Sequence, residues 1–211
     1  MRDRNAPLTL DDVASLDWAK MDGLVPAVVQ DAATLQLLML GYMNEAALRA
    51  TLESGRVTFY SRSKQRLWTK GETSGNHLQL RAIFADCDND ALLIAADPQG
   101  PTCHLGTPSC FTAQGASGVG WLGRLAQIVH QRAGADAASS YTARLLKEGP
   151  LRIAQKVGEE GVETALAGAV GDRDGCISEA ADLIYHLTVL MEARDFGWDD
   201  VAAKLAERHK G

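Results

Sequence analysis

No run of apolar residues in this 211-residue chain approaches the ~18–20 consecutive residues that a transmembrane helix needs. Residues 1–12, MRDRNAPLTLDD, are polar and lack the apolar core of a secretory signal peptide. Both absences predict a soluble, cytoplasmic protein without a membrane partner.

Cysteine is scarce, and positive charge is in the minority. The chain has four cysteines, which in a reducing compartment indicate metal ligands or free thiols rather than disulfides. Lysine and arginine number 21 against 27 acidic residues, and the formal net charge of −6 argues against broad nucleic-acid binding. An anionic substrate would therefore have to be met by local cations or by bound metal ions.

The residue pattern changes along the chain and predicts two domains, at residues 1–113 and 119–211. The first has short strand-like runs around one helix, which indicates a small α+β domain. The predicted strands are 25–29, 35–42, 57–60, 78–85 and 92–95. The helix has Asn44 as its N-cap and Gly55 just past its end. After a small-residue linker at 111–120, every segment has helical period, which predicts an all-α bundle.

Residues 86–110 contain the highest concentration of possible metal-ligating side chains, with aspartates and cysteines interleaved. These residues are Asp86, Cys87, Asp88, Asp90, Cys103 and Cys110. Thiolates suit zinc and carboxylates suit magnesium, so the mixture indicates two metals side by side. In an extended segment the aspartates would share one face, with Cys87 on the other. The alternative is an acidic turn beside ordinary buried cysteines.

The number of clustered cysteines favours a catalytic zinc ion. Three thiolates are one ligand short of a closed structural site, whereas three protein ligands and a water are the catalytic form. His104 follows Cys103 directly and is a candidate proton carrier at a metal-bound water. Cys176 stands far from the cluster, and we expect it to be structural.

A second acidic constellation lies in the helical half. Its members are Glu159, Glu160, Glu163, Glu179 and Asp182. Their i,i+3 and i,i+4 spacings place them on one side of two helices, where like charges repel by about 0.2–0.5 kcal/mol per pair. A magnesium ion would compensate this repulsion, and the alternative is a solvated acidic face.

A third feature is the stretch 61–76, which combines cations, hydroxyls and glycines and is typical of a loop. Such a loop can cradle phosphate, and its tryptophan can stack on a purine-like ring. The candidate substrate-binding residues are Ser61, Arg62, Lys64, Trp68, Lys70, Ser74 and Asn76. The alternative is an exposed basic loop with one packed tryptophan.

With these residues in view, the chain resembles the bifunctional phosphoribosyl-AMP cyclohydrolase/phosphoribosyl-ATP pyrophosphatase family of histidine biosynthesis. The matching motifs are LMLGYMN at 38–44, LWTKGETSGN at 67–76, DCDND at 86–90, KVGEE at 156–160 and EAADLIYH at 179–186. The second half is similar to the MazG-like all-α pyrophosphohydrolases, whose E-E-x-x-E and E-x-x-D carboxylates bind magnesium. One departure is Gly161, where the family pattern leads us to expect alanine.

The resemblance implies two consecutive hydrolyses. The helical domain would convert phosphoribosyl-ATP to phosphoribosyl-AMP and pyrophosphate, and the α+β domain would open the purine ring of phosphoribosyl-AMP. It also implies zinc on Cys87, Cys103 and Cys110, shared across a homodimer, and magnesium on both acidic clusters. His104 and Glu163 are our catalytic candidates.

Three other functions stay open at this point. A zinc base deaminase would need H-x-E and P-C-x-x-C motifs, which the chain lacks. A zinc-binding interaction module would need a fourth ligand, for which His104 is the only nearby option. Pyrophosphate release from ordinary deoxynucleotides would instead indicate a housekeeping nucleotide hydrolase.

Overall fold

The computed structural model describes residues 3–209, apart from the side chain of Met21, and divides into two compact units between Gly120 and Trp121. The first unit is α+β and the second is helical, so the predicted fold class is confirmed. The outer ends of the predicted domains, residues 1 and 211, lie outside the described residues. Their inner ends, 113 and 119, stay a prediction, and residues 111–119 contain no helix or strand.

A four-stranded sheet organises the first unit. The strands of this unit are β1 (Val25–Asp31), β2 (Leu37–Met43), β3 (Thr58–Ser61), β4 (Arg66–Thr69), β5 (Leu78–Ala85) and β6 (Leu92–Pro98). The sheet order is β2-β1-β6-β5, in which only β1 and β6 pair in parallel. Every second residue of β1 is buried, which is the pattern of a strand with one face on the core.

Helix α1 (Glu45–Ser54) has the boundaries that its capping residues predict. The Asn44 side chain accepts a hydrogen bond from the Ala47 N–H at 2.9 Å. Gly55 has a φ of +68°, which glycine adopts without a steric penalty, and it ends the helix. Leu48 of this helix is fully buried in the same core as Val25 and Ile94 of the sheet.

The prediction that residues 61–76 form a loop is wrong in part, because the stretch contains strand β4. This strand pairs antiparallel with β3, with Thr58 opposite Thr69 and Ser61 opposite Arg66. The rings of Phe59 and Trp68 stack across the pair at 5.8 Å between centroids. Cross-strand aromatic pairs stabilise such hairpins, and this one outweighs the polar, loop-like composition around it.

Residues 86–90 form a turn between β5 and β6, so the prediction of an extended segment is wrong. Asn89 has a φ of +62°, and the Asp86 carboxylate accepts hydrogen bonds from the N–H groups of Asp90 and Ala91 at 3.0 and 3.1 Å. Asparagine tolerates this left-handed conformation, and an aspartate can bond backbone groups that follow it. The alternation of faces that an extended chain would show therefore does not apply here.

The second unit is built from helices α2 (Gly120–Ala133), α3 (Tyr141–Glu148), α4 (Pro150–Val170), α5 (Arg173–Ala193) and α6 (Trp198–Arg208). Its core contains Val129, Leu145, Ile153 and Val189. In α4, Ile153 is fully buried, whereas Leu166 and Val170 are 62% and 81% exposed in the single chain. Among residues 3–209, no helix is long and apolar enough to cross a membrane.

Candidate active sites

The turn between β5 and β6 brings together the three aspartates that the sequence singled out. Asp86, Asp88 and Asp90 each offer a carboxylate oxygen, and these oxygens lie within 4.8 Å of one another. The Lys20 ammonium contacts both Asp88 and Asp90. The hydrogen bond from Lys20 holds the pKa of Asp88 below its usual range, and the two carboxylates raise the pKa of Lys20. The cluster thus attracts a cation, as a magnesium site must.

Two of the three predicted zinc ligands lie together, and the third lies apart. Partial desolvation raises the pKa of the Cys110 thiol, which belongs to an exposed residue, and Cys103 raises it further, so the two sulfurs interact. Cys87 is exposed, with its Sγ 3.8 Å from the Asp88 carboxylate. Within residues 3–209, no cysteine belongs to a group of three possible metal ligands. A single chain therefore does not assemble the predicted three-thiolate site.

Backbone hydrogen bonds hold the loop at residues 103–110 together and attach it to strand β2. The Gly106 N–H donates to the Cys103 carbonyl at 3.0 Å, and Gly106 has a φ of +80°, which suits glycine. The Cys110 N–H donates to the Leu38 carbonyl at 2.8 Å. A backbone hydrogen bond at Leu105 lowers the pKa of Cys103, which favours its thiolate form. His104 is exposed, with its Nδ1 3.9 Å from the Cys103 Sγ.

Lys70 is buried rather than displayed on a phosphate-binding loop. Only 7% of its surface is exposed, and its ammonium donates to the Asn76 carbonyl at 3.1 Å. Burial lowers the pKa of Lys70, while Cys110 and Cys103 act in the opposite direction. The structure therefore places this cation beside the cysteine pair.

The other predicted substrate residues fall at two ends of the β3–β4 hairpin. Ser61, Arg62 and Lys64 lie at its tip, where the Arg62 guanidinium stands 4.0 Å from the Tyr42 ring centroid. Ser74 and Asn76 follow β4 at the opposite end, about 10 Å away for three steps along a strand. Trp68 is half-buried against Phe59. One chain does not gather all these residues around a single phosphate.

In the helical unit, three of the five predicted carboxylates meet. Oxygens of Glu160, Glu179 and Asp182 lie within 4.8 Å of one another. Burial raises the pKa of Glu179, and the charges of Glu163, Glu160 and Asp182 raise it further. Glu163 is thus near enough to act on this group electrostatically, although its side chain is exposed. A concentration of negative charge between α4 and α5 is what a bound divalent cation would neutralise.

Glu159 faces a different environment from its neighbour Glu160. Its carboxylate accepts hydrogen bonds from Lys156 at 2.8 Å and from Gln155 at 2.7 Å. Successive helical residues point about 100° apart, which explains why one paired glutamate enters the cluster and the other does not. Lys156 also lies 3.1 Å from a Glu160 oxygen and so bridges the pair.

The site contains two polar residues that the sequence reasoning did not assign to it. His186 is buried, and its Nδ1 lies 2.9 Å from the Asp182 carbonyl and 3.6 Å from a Glu160 oxygen. Because a carbonyl only accepts, Nδ1 carries the proton, and Nε2 accepts from the Tyr141 hydroxyl at 3.1 Å. The sequence does contain one indication of this role, because His186 follows Asp182 by four residues and so lies on the same side of the same helix.

Two family models match the chain, one in each structural unit. Phosphoribosyl-AMP cyclohydrolase matches residues 39–112, and Phosphoribosyl-ATP pyrophosphohydrolase matches residues 122–209. The Histidine biosynthesis bifunctional protein HisIE of Vibrio cholerae is 57% identical over 197 residues, with 92% of this chain and 94% of that protein covered. The HisIE protein of Yersinia pestis is 55% identical over 203 residues, with 96% and 99% covered.

The chain belongs to the HisIE family. It is a bifunctional hydrolase that acts on small phosphoribosyl nucleotides in histidine biosynthesis. The α+β unit carries the cyclohydrolase domain, and the helical unit carries the pyrophosphohydrolase domain. These matches confirm the predicted activities, and they favour them over a base deaminase, a zinc-binding interaction module or a housekeeping nucleotide hydrolase. The acidic groups in both units are compatible with metal use.

Proposed function

We propose that the helical unit hydrolyses phosphoribosyl-ATP with magnesium bound by Glu160, Glu179 and Asp182. The observation that carries this assignment is that oxygens of these three carboxylates lie within 4.8 Å of one another. Burial raises the pKa of Glu179, the neighbouring carboxylates raise it further, and a cation would relieve this crowding of charge. Magnesium binds through a few carboxylates together with substrate phosphates. When bound, it would neutralise the triphosphate and the leaving pyrophosphate.

The remaining acidic residues have separate proposed roles. Glu163 is the proposed general base, because it is exposed beside the cluster and can accept a proton from the attacking water. Glu159 would join the ligands only by exchanging its contacts with Lys156 and Gln155. His186 holds the backbone of Asp182 through a hydrogen bond and contacts Glu160, so it orients two proposed ligands.

For the ring-opening reaction, the proposed zinc site is shared between two copies of the chain. Cys103 and Cys110 of one chain would bind the ion together with Cys87 of the partner subunit. The separation of Cys87 from the interacting pair within one chain supports this arrangement. Three thiolates with one open position fit catalytic zinc, which makes hydroxide available near neutral pH. His104, next to Cys103, is the proposed proton carrier.

Magnesium on Asp86, Asp88 and Asp90 would stand beside this zinc. The proposed substrate contacts are Ser61, Arg62, Lys64, Trp68, Lys70, Ser74 and Asn76. The tip and the base of the β3–β4 hairpin are separated. The residues at its two ends would therefore contact different parts of one substrate molecule or two different substrate molecules. Lys70 lies beside Cys103 and Cys110, so it would contact a substrate phosphate only if that phosphate bound next to these two cysteines. We also place the enzyme in the cytoplasm, where thiols stay reduced.

The experiment that tests this division supplies each substrate separately and follows pyrophosphate and ring-opened product. Glu163→Gln keeps the side-chain size but removes the proposed base, so pyrophosphate release should fall about 10²–10⁴-fold. Ring opening of supplied phosphoribosyl-AMP should stay close to the wild-type rate. Cys103→Ser should do the reverse and lose the zinc. Loss of ring opening in Glu163→Gln would contradict two independent sites.

A further inference from the structure

The Lys20 ammonium lies against the carboxylates of the Asp86–Asp90 turn to which we assign a magnesium ion. It contacts both Asp88 and Asp90, and these are two of the three carboxylates that converge there. Lys20 is far from this turn in sequence and precedes the part of the chain that the cyclohydrolase model matches, residues 39–112. The cation is therefore supplied by a separate segment of the same unit.

The segment that carries Lys20 is anchored to the turn and to the core. The Asp17 N–H donates to the Asn89 carbonyl at 2.9 Å, which ties the segment directly to the turn. The Trp18 indole N–H donates to the Val13 carbonyl at 3.0 Å, and its ring packs against the core. The Lys20 N–H in turn lies 3.2 Å from the Asp17 carboxylate, to which it donates. These contacts deliver the lysine to the cluster at small entropic cost.

A lysine and a divalent ion cannot use the same carboxylate oxygens at once. Magnesium requires oxygen ligands at about 2.1 Å in octahedral geometry, and it repels a nearby ammonium. Without metal, three converging carboxylates repel one another, and the ammonium offsets that repulsion. The two cations therefore stabilise the same cluster in turn.

We propose that Lys20 is an internal counter-cation that fills the Asp86–Asp90 cluster in the metal-free enzyme and leaves it when magnesium binds. This inference rests on the proposed magnesium site. Lys20 thereby weakens metal binding and keeps the metal-free unit stable. By linkage, the ion must weaken the Lys20 contacts by the same factor as Lys20 weakens binding of the ion.

The affinity test uses Mn²⁺, which electron paramagnetic resonance detects, as the probe in the full-length protein. Lys20→Met should bind Mn²⁺ at this cluster about fivefold or more tightly, within the usual range of coupling between sites. Lys20→Arg keeps the charge and should stay near wild type. Arg49→Met is the matched control, because Arg49 also forms an exposed ion pair, with Glu45, and its loss changes the charge equally. Asp88→Asn identifies which Mn²⁺ site is being measured.

A second readout follows Lys20 itself by amine labelling and peptide mass spectrometry. Labelling of Lys20 should rise as Mg²⁺ is added, with the midpoint of metal binding, while labelling of Lys204 in the other unit should not change. If Asp88→Asn leaves every Mn²⁺ site unaltered, the proposed magnesium site and this inference both fail. If Asp88→Asn abolishes a site but Lys20 labelling and Lys20→Met affinity do not change, this inference alone fails. Weaker binding in Lys20→Met would show a supporting role instead and would also overturn it.

Discussion

At the scale of residues, the two acidic clusters contain carboxyl groups whose pKa values are shifted in opposite directions. The pKa of Asp88 is lowered, first by its hydrogen bond with Lys20. The pKa of Glu179 is raised, first by burial and then by three neighbouring carboxylates. The ionised form of Asp88 is therefore favoured by folding, whereas the ionised form of Glu179 is penalised by it. The acidic cluster of the helical unit should therefore depend more on a bound metal ion to neutralise its charge than the aspartate cluster of the α+β unit does.

This difference predicts a gain in stability for Glu179→Gln when metal is chelated. The variant removes a charge that the folded state penalises, so its melting temperature in EDTA should exceed that of the wild type at neutral pH. The gain should shrink as the pH falls through the raised pKa of Glu179, because the protonated wild type already lacks that charge. Magnesium should stabilise the variant less than the wild type.

The control for Glu179→Gln is Glu207→Gln in the same unit. Glu207 accepts a hydrogen bond from Lys204 at 2.7 Å, so its removal should bring no gain in EDTA. Scanning calorimetry at several pH values measures both variants. Equal gains in the two variants would point to net charge rather than to crowding at Glu179.

At the scale of elements, local signals predicted the helices and failed where distant segments meet. Asn44 and Gly55 mark the ends of α1 in the sequence because capping depends on adjacent residues. Strand β4 has only four residues and depends on its partner β3, which local composition does not reveal. Helical spacing grouped five acids, of which Glu160, Glu179 and Asp182 converge in the structure. The different surroundings of Glu159 and Glu160 depend on packing, which the spacing does not reveal. The lysine at the aspartate turn comes from another segment and leaves no local pattern.

Helix α4 offers a direct test of one departure from the family pattern. Gly161 lies inside this helix, and a Cβ added there would meet only the Leu183 Cδ1 atom, at 4.0 Å. Glycine costs about 0.5–1 kcal/mol relative to alanine in a helix interior. Gly161→Ala should therefore raise the free energy of unfolding by about that amount.

The matched control for Gly161→Ala is Gly41→Ala in strand β2. A Cβ at Gly41 would lie 2.3 Å from the Phe59 ring, so this substitution should destabilise the α+β unit. Urea unfolding monitored by circular dichroism measures both changes. A loss of stability in Gly161→Ala would show that α4 needs a glycine at that contact.

At the scale of the whole molecule, each unit carries one activity, and the proposed zinc site lacks its third thiolate within one chain. Cys103 and Cys110 interact, while Cys87 belongs to the turn between β5 and β6 and lies apart from them. In a homodimer with two-fold symmetry, each contact between the copies occurs twice, so one such interface would complete two zinc sites. The proposed zinc site therefore depends on the proposed dimer.

Mixed dimers provide the test of zinc sharing. Cys87→Ser and Cys103→Ser, each alone, should bind little zinc, because every site lacks one of its three thiolates. A dimer of one chain of each kind, isolated through two different affinity tags, has one site with all three cysteines and one site with neither Cys87 nor Cys103. Metal analysis should therefore find about one zinc per mixed dimer, against about two in the wild type.

The control dimer combines Cys103→Ser with Cys110→Ser. Both residues belong to the same half of the proposed site, so each site in this dimer lacks one thiolate and should stay without zinc. Ring opening of phosphoribosyl-AMP should follow the zinc content, at about half the wild-type rate in the first mixed dimer and near zero in the control. If each zinc were held by a single chain, neither mixed dimer would recover it. Recovery in the control alone would place Cys103 and Cys110 on different subunits of one site.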